Sequence, residues 1–228
     1  MWVQRQETWR GQPLEPDSAV TVFSTDEVRV RVWGGGLVAK SFSFKTTICG
    51  VEEIDRMQIE DVSHIISILD PYEPLSPACQ KLPRHSMLEL RFHDAVVPGP
   101  GIVLPTDNHV KQLLRFCQER IVDHSAHLLI HCQAGQSRST AAAALCLIQV
   151  HPTRSAYEIL GQIVRMRPAA WPNLRLVELG DEILGRHGEL VTAVAALYRR
   201  KLNTDPGLAD HLRRHGRGRE VDLAERWR

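Results

Sequence analysis

The sequence lacks the features expected of a membrane-spanning, secreted or thiolate-zinc protein. No apolar run reaches the roughly 18 residues that a membrane-spanning helix needs, and the chain does not start with the apolar segment of a secretory signal. The five cysteines include no Cys-x-x-Cys pair, so neither a disulfide framework nor a thiolate zinc site is expected. We therefore expect a cytoplasmic protein without a membrane span.

A large excess of one charge is also missing. The 228 residues include 28 Lys and Arg against 27 Asp and Glu, a formal net charge of +1. A protein that coats nucleic acid needs a strong positive excess, so no nucleic-acid partner is expected. Hydrophobic residues make up 43% of the chain, which is enough to bury the core of one substantial domain.

Short buried strands alternate with amphipathic helices along most of the chain. Strands are predicted at 28–33, 43–50, 64–69, 87–92 and 127–131, and helices at 51–56, 105–121, 139–150, 155–167, 174–184 and 189–200. This alternation predicts an α/β fold with a central, mostly parallel sheet of four to five strands flanked by helices.

The two ends of the chain depart from this pattern. Residues 1–27 are polar and aperiodic, and we expect an extended N-terminal arm there, followed by the folded domain over 28–200. Residues 201–228 are then a basic C-terminal tail; 199–228 contain nine Lys or Arg and five acidic residues. A solvated tail is the simplest interpretation, and a partner-binding or substrate-steering segment is the alternative.

The segment with the clearest chemistry joins the strand at 127–131 to the helix at 139–150. It reads His131-Cys-Gln-Ala-Gly-Gln-Ser-Arg-Ser139. A loop that leads from a strand into a helix N-terminus can direct its N–H groups at one point, where the helix dipole also favours an anion. Gly135 permits the tight turn, and the Arg138 guanidinium can bind two phosphate oxygens. The predicted phosphate-binding residues are Gln133, Ala134, Gly135, Gln136, Ser137 and Arg138.

Cys132 stands at the base of this predicted cradle. The N–H groups and the guanidinium that would bind an anion also favour thiolate over thiol. A thiolate beneath a bound phosphate is a nucleophile directed at phosphorus. A structural cysteine followed by a chance arginine would not explain why Cys, Gly, Arg and Ser occur in this register.

This loop resembles the signature of the cysteine-dependent protein tyrosine phosphatases, and in particular the dual-specificity branch, whose loop often reads HCxAGxSRS. The segment Arg167-Pro-Ala-Ala-Trp-Pro-Asn173 is similar to the RPxxxPN segment of those enzymes. The likeness spans roughly residues 44 to 185, and the chain resembles the bacterial tyrosine-phosphatase-like proteins of alphaproteobacteria. The resemblance implies a phosphatase fold of dual-specificity size.

The resemblance also implies a two-step reaction that needs no metal and no organic cofactor. Cys132 would attack phosphorus while Arg138 holds the oxygens, and Asp94 would protonate the leaving group. Asp94, as a carboxylate, would then activate the water that hydrolyses the phosphocysteine, and Ser139 would hydrogen-bond the departing sulfur. Asp107 is the alternative acid, although it is better explained as the start of a helix.

Four residues have supporting roles in this interpretation. His131 is expected to orient the loop from behind, and Asn173 to brace it. Cys49 is a candidate for a reversible disulfide with Cys132 under oxidation, with a plain buried cysteine as the alternative. Trp171 either lines the rim of the pocket or packs in the core.

Several functions use such a loop. We expect phosphoprotein hydrolysis, with phosphotyrosine as first substrate and phosphoserine or phosphothreonine as second. A phosphoinositide or small-molecule phosphatase is the alternative, but the uncharged side chains at the loop's variable positions do not suit a polyphosphorylated headgroup. A non-catalytic phosphate-binding module or a sulfur-transfer enzyme would not require Cys132, Arg138 and an acid together with the RPxxxPN segment.

Overall fold

The computed structural model describes residues 30–32, 36–38, 44–54, 56–57, 61–81, 86–121 and 125–227. The extended arm predicted for residues 1–27 lies outside these ranges. Within them, the central element is a four-stranded sheet in the order β3–β6–β4–β5, in which all neighbours run parallel. Helices pack around this sheet, so the predicted α/β fold with a mostly parallel sheet is confirmed.

Five of the described strands overlap the predicted runs, and a sixth, at Gly36–Val38, was not predicted. They are β1 (Val30–Val32), β2 (Gly36–Val38), β3 (Lys45–Gly50), β4 (His64–Leu69), β5 (Met87–Arg91) and β6 (His127–Cys132). β1 and β2 form a separate antiparallel pair. Every residue of β6 is buried, because β6 has a strand on each side and helices pack against the sheet; this burial explains its continuous apolar run.

The helices fill the intervals between these strands and then form a helical C-terminal part. They are α1 (Val51–Ile54), α2 (Pro77–Gln80), α3 (Asp107–Arg120), α4 (Arg138–Val150), α5 (Ala156–Met166), α6 (Leu174–Ile183), α7 (Glu189–Thr204), α8 (Leu208–Arg214) and α9 (Gly218–Arg226). Among the described residues, none of these helices combines the length and the apolar character needed to cross a bilayer. α4 is almost wholly buried from Arg138 to Ile148, and its alanines allow close packing.

The parallel arrangement brings the functional segments to one edge of the sheet. Because all four strands point the same way, Gly50, Leu69, Arg91 and Cys132 end them at their common carboxyl edge. Gly50 lies directly opposite Cys132 in the register of β3 and β6. Loops at this edge are the usual place for ligand binding in open α/β sheets.

The expectation of a solvated tail is wrong for the residues up to 227. α8 and α9 are ordered helices, and Val221 and Ala224 of α9 are fully buried against the core. The segment is rich in arginine, but Val221 and Ala224 are three positions apart and so form an apolar face on one side of a helix. The prediction used the net charge of the segment, which does not depend on how its apolar residues are spaced.

A disulfide between α3 and α4 is a second departure from expectation. Cys117 and Cys146 are paired in this structure, with their Cα atoms 6.1 Å apart. They are 29 residues apart in the sequence, and only the packing of the two helices brings them together. Cys49 and Cys132 are free thiols.

The close approach of α4 and α6 depends on Gly180. A Cβ atom at this position would lie 2.1 Å from Cδ2 of Leu145, which is fully buried. We expect Gly180→Ala to lower the free energy of unfolding by about 1–3 kcal/mol, the usual cost of overpacking a core, as measured by denaturant titration.

Gly161→Ala on α5 is the matched control. A Cβ atom there would meet only the Arg165 guanidinium, at 3.7 Å, and alanine favours a helix over glycine. This variant should be as stable as the wild type or more stable. Equal losses of stability in both variants would contradict the packing argument.

Candidate active site

The loop 133–137 connects β6 to α4 and places the predicted nucleophile beside its predicted partner. Cys132, the last residue of β6, is 2% exposed. Its Sγ lies 3.2 Å from Oγ of Ser139, which is in the first turn of α4. The structure therefore brings these two side chains into hydrogen-bonding contact, with the N-terminus of α4 directly beyond the loop.

Gly135 is required by both the conformation and the packing of this loop. Its φ of +68° lies in the left-handed region that side chains disfavour. A Cβ atom would also lie 2.4 Å from the carbonyl carbon of Cys49 and 2.5 Å from the Gly50 nitrogen. The loop thus lies directly on the backbone of β3.

The loop carbonyls are bound from outside the loop. The carbonyl of Gln133 accepts from Val51 N–H at 3.1 Å, and that of Ala134 accepts from the Arg167 guanidinium at 2.9 Å. The carbonyls of Gln136 and Ser137 accept from the N–H groups of Trp171 and Asn173 at 2.7 and 3.2 Å.

This pattern determines where the loop N–H groups point. In a trans peptide the N–H points opposite to the carbonyl of the preceding residue. With four carbonyls held outward, the N–H groups of the next residues face the opposite way, towards the interior of the loop: these are Ala134, Gly135, Ser137 and Arg138. Converging N–H groups of this kind form an anion-binding concavity.

Arg138 is 3% exposed and is anchored on one side of its guanidinium. Its Nη1 donates to Asp70 Oδ1 at 2.6 Å and to the Phe92 carbonyl at 2.8 Å. Its Nε is buried and has no hydrogen-bond partner among the described residues. Burial alone would lower the pKa of Arg138, but Asp94, Cys132 and Asp70 outweigh it and raise that pKa. The Arg138 guanidinium therefore stays charged, and its Nε–H is a donor without a partner among the described residues.

Asp94 follows β5 and reaches the start of α4. Its Oδ1 accepts from Ser137 Oγ at 2.7 Å and from Asn173 Nδ2 at 2.8 Å. Its Oδ2 lies 3.1 Å from Nη1 of Arg217. Burial alone would raise the pKa of Asp94, but Arg217, Arg138 and the two hydrogen bonds outweigh it and lower the pKa below its usual value.

Asn173 connects the start of α6 to Asp94. It is the N-cap of α6, where its Oδ1 accepts from Leu176 N–H, while its Nδ2 donates to Oδ1 of Asp94.

His131 is fully buried, and burial lowers its pKa to about 4. Its ring is therefore neutral near pH 7, with Nε2 3.7 Å from Sγ of Cys79 on α2.

Three further residues were singled out from the sequence: Cys49, Trp171 and Asp107. Cys49 pairs with His131 in the strand register, and burial raises the pKa of its thiol; its redox role stays a prediction. Trp171 is buried and its ring stacks on Tyr198 with centroids 4.2 Å apart, so it packs in the core. Asp107 is the first residue of α3, after the N-cap Thr106.

Sequence reasoning missed three residues in this network, namely Asp70, Arg217 and Glu220. Asp70 directly follows β4, and the parallel order of the strands could have indicated that it shares an edge with Cys132. Arg217 and Glu220 lie in the C-terminal segment, where charged residues are frequent. No local signal marks them, because their partners are far away in the sequence.

Comparison with known proteins gives similarity in structure only. No family model and no curated protein matches the chain. Among solved structures, the chain is similar to Tk-PTP in its active form, with 22% identity, 63% of this chain and 92% of that chain covered, and a TM-score of 0.45.

Two further solved structures are similar to the chain. One is PTPMT1 in complex with PI(5)P, with 21% identity, 63% and 90% coverage of the two chains and a TM-score of 0.45. The other is a human tyrosine phosphatase-like serine/threonine/tyrosine-interacting protein, with 18% identity, 62% and 92% coverage and a TM-score of 0.47. These likenesses are at low sequence identity, and the chemistry below is argued from the site's own geometry.

The loop geometry predicts that Gly135→Ala will lose anion binding. The new Cβ would collide with the backbone of β3 and would occupy a left-handed conformation, so the loop must shift. We expect inorganic phosphate to bind about tenfold more weakly or worse, as measured by calorimetric titration.

Gly161→Ala on α5 again serves as the control, because α5 supplies no residue to this loop. It should bind inorganic phosphate as the wild type does. Unchanged phosphate affinity in a folded Gly135→Ala protein would show that the anion does not bind inside this loop.

Proposed function

We propose that this protein is a phosphatase that hydrolyses phosphomonoesters through a phosphocysteine intermediate. The observation that carries the proposal is the set of loop carbonyls bound from outside, which turns the N–H groups inward above Cys132. The free Nε of Arg138 supplies a further donor for a tetrahedral anion. A thiol beneath a site of this kind is suited to attack phosphorus.

In the first step, Sγ of Cys132 attacks phosphorus as the thiolate. The S–P bond forms and the P–O bond to the leaving group breaks, while Arg138 and the loop N–H groups stabilise the oxygens. The leaving oxygen takes a proton from the Asp94 carboxyl. Asp94 is placed for this role because its carboxyl lies against Ser137, the N-cap residue of α4, beside the loop.

In the second step, water attacks the phosphorus of the phosphocysteine. Asp94, now a carboxylate, takes a proton from the water, and the P–S bond breaks to release inorganic phosphate. Ser139 donates a hydrogen bond to the departing thiolate, in keeping with its Oγ 3.2 Å from the sulfur. The enzyme then returns to its starting state with Asp94 protonated.

Phosphotyrosine in proteins is the substrate that these surroundings favour, with phosphoserine or phosphothreonine second. The side chains of Gln133, Ala134, Gln136 and Ser137 carry no charge. Exposed apolar side chains occur in the segments that follow β4 and β5, at Tyr72, Ile102 and Val103. An aromatic phosphoester suits such surroundings better than a polyphosphorylated inositol headgroup does.

The decisive experiment is hydrolysis of para-nitrophenyl phosphate by reduced protein in EDTA. We expect the wild type to be active, since no step uses a metal, and we expect Cys132→Ser to be inactive. Asp94→Ala should lose about 10²–10⁴-fold in kcat. The loss should be larger on phenyl phosphate than on the nitrophenyl ester, because nitrophenolate leaves with less need of a proton.

The outcomes separate the alternatives. Activity that persists in Cys132→Ser would exclude phosphocysteine chemistry. An inactive, folded and reduced wild type that still binds inorganic phosphate would instead indicate a phosphate-binding module. Parallel assays on a phosphotyrosine peptide and a phosphoinositide would then rank the two substrate classes.

A further inference from the structure

Arg217 joins the C-terminal helices to the candidate active site. It is the N-cap residue of α9 and is mostly buried, with 12% of its side chain exposed. Its Nη1 lies 3.1 Å from Asp94 Oδ2, and its Nη2 donates to Ser137 Oγ at 3.0 Å. One guanidinium therefore contacts both the proposed acid and the residue that precedes Arg138.

Glu220 fixes the guanidinium of Arg217 in this position. The Nε and Nη2 atoms of Arg217 each donate to one oxygen of Glu220, both at 2.7 Å. Glu220 is fully buried and also accepts from Trp171 Nε1 at 2.7 Å and Leu174 N–H at 3.1 Å. A paired fork of this kind is rigid and directional.

The contacts of Asp94 all favour its carboxylate form. Ser137, Asn173 and Arg217 each place a donor or a cation against it. The titratable and charged groups that interact with Asp94 are Arg138 on α4, Tyr198 on α7 and Arg217 at the N-cap of α9. Glu220 and Cys132 interact in turn with Arg217 and Arg138. Tyr198 stays neutral, because burial raises the pKa of its hydroxyl.

Arg217 differs from Arg138 in what it can do for the reaction. Arg138 keeps a free donor for the anion, whereas Arg217 is occupied by Asp94, Ser137 and Glu220. A role for Arg217 in binding phosphate directly would require it to leave all three partners. Its contacts suit a residue that acts on Asp94.

We infer that Arg217 is a positioning residue for Asp94, and that α9 thereby sets the pH range in which Asp94 acts as an acid. The inference rests on the proposed function, because it takes Asp94 as the proton donor. A cation beside a carboxyl favours the ionised form, so at any given pH fewer molecules carry the proton that the first step needs. Removal of the cation must therefore extend activity to higher pH.

The test is the pH dependence of kcat/KM on phenyl phosphate for the wild type and two variants. The double variant Arg217→Gln/Glu220→Gln removes the cation together with the anion of Glu220, so Glu220 is not left as an unpaired charge in the core. We expect its alkaline limb to move upward by about one pH unit or more. Arg217→Lys, which keeps the charge, should move the limb less than half as far.

Arg213→Gln is the matched control. Arg213 lies on α8 and pairs with Asp222 and Glu225 on the surface, so this variant removes a C-terminal cation that does not contact the site. Its pH profile should be that of the wild type. A limb that stays in place in the folded double variant, while Asp94→Ala abolishes that limb in the parent, would overturn the inference.

Titration of the Asp94 carboxyl by carbon NMR separates this inference from the proposed function. The signal is assigned with Asp94→Asn and followed in inactive Cys132→Ser protein, so it needs no turnover. A higher midpoint in the double variant supports the inference even if no hydrolysis is found, and an equal midpoint overturns it. If circular dichroism shows the double variant to be unfolded, Arg217→Gln alone is titrated with the same expected direction.

Discussion

The contact between the loop 133–137 and the end of β3 is the constraint on which the site depends. Gly135 lies so close to the backbone of Cys49 and Gly50 that no side chain fits. That approach allows Val51 to hold the Gln133 carbonyl from outside. Arg167 extends the same arrangement, since it binds the Ala134 carbonyl and Glu53, whose carboxylate also accepts from Gly50 N–H. The proposed anion site is therefore a consequence of how the loop is supported from outside.

Around this loop, buried and half-buried charges alternate in sign. Asp70 contacts Arg138, and Asp94 and Glu220 both contact Arg217. Such a chain is stable only while every member keeps its partner, because an unpaired charge in the core is costly. A dianionic phosphate in the loop would add negative charge next to Arg138.

Local features of the sequence allowed most of the fold and the centre of the site to be predicted. The apolar runs of β4 and β6 mark buried strands, and Cys132, Gly135, Arg138 and Ser139 lie close enough in sequence for their arrangement to follow from a strand–loop–helix turn. Arg217 and the Cys117–Cys146 pair could not be found in this way, because their partners come from distant segments. The buried face of α9 was not predicted, because the many arginines around it indicated a solvated segment.

The position of α9 in the chain has a consequence for folding. Arg217 contacts Ser137 across 80 residues of sequence, so the site is closed by contacts of long sequence separation. Such contacts form late, since the entropy of closing a long loop must be overcome first. During synthesis, β6 and α4 are available well before α9 leaves the ribosome. A nascent chain can therefore assemble the thiol and the anion cradle before the environment of Asp94 is complete.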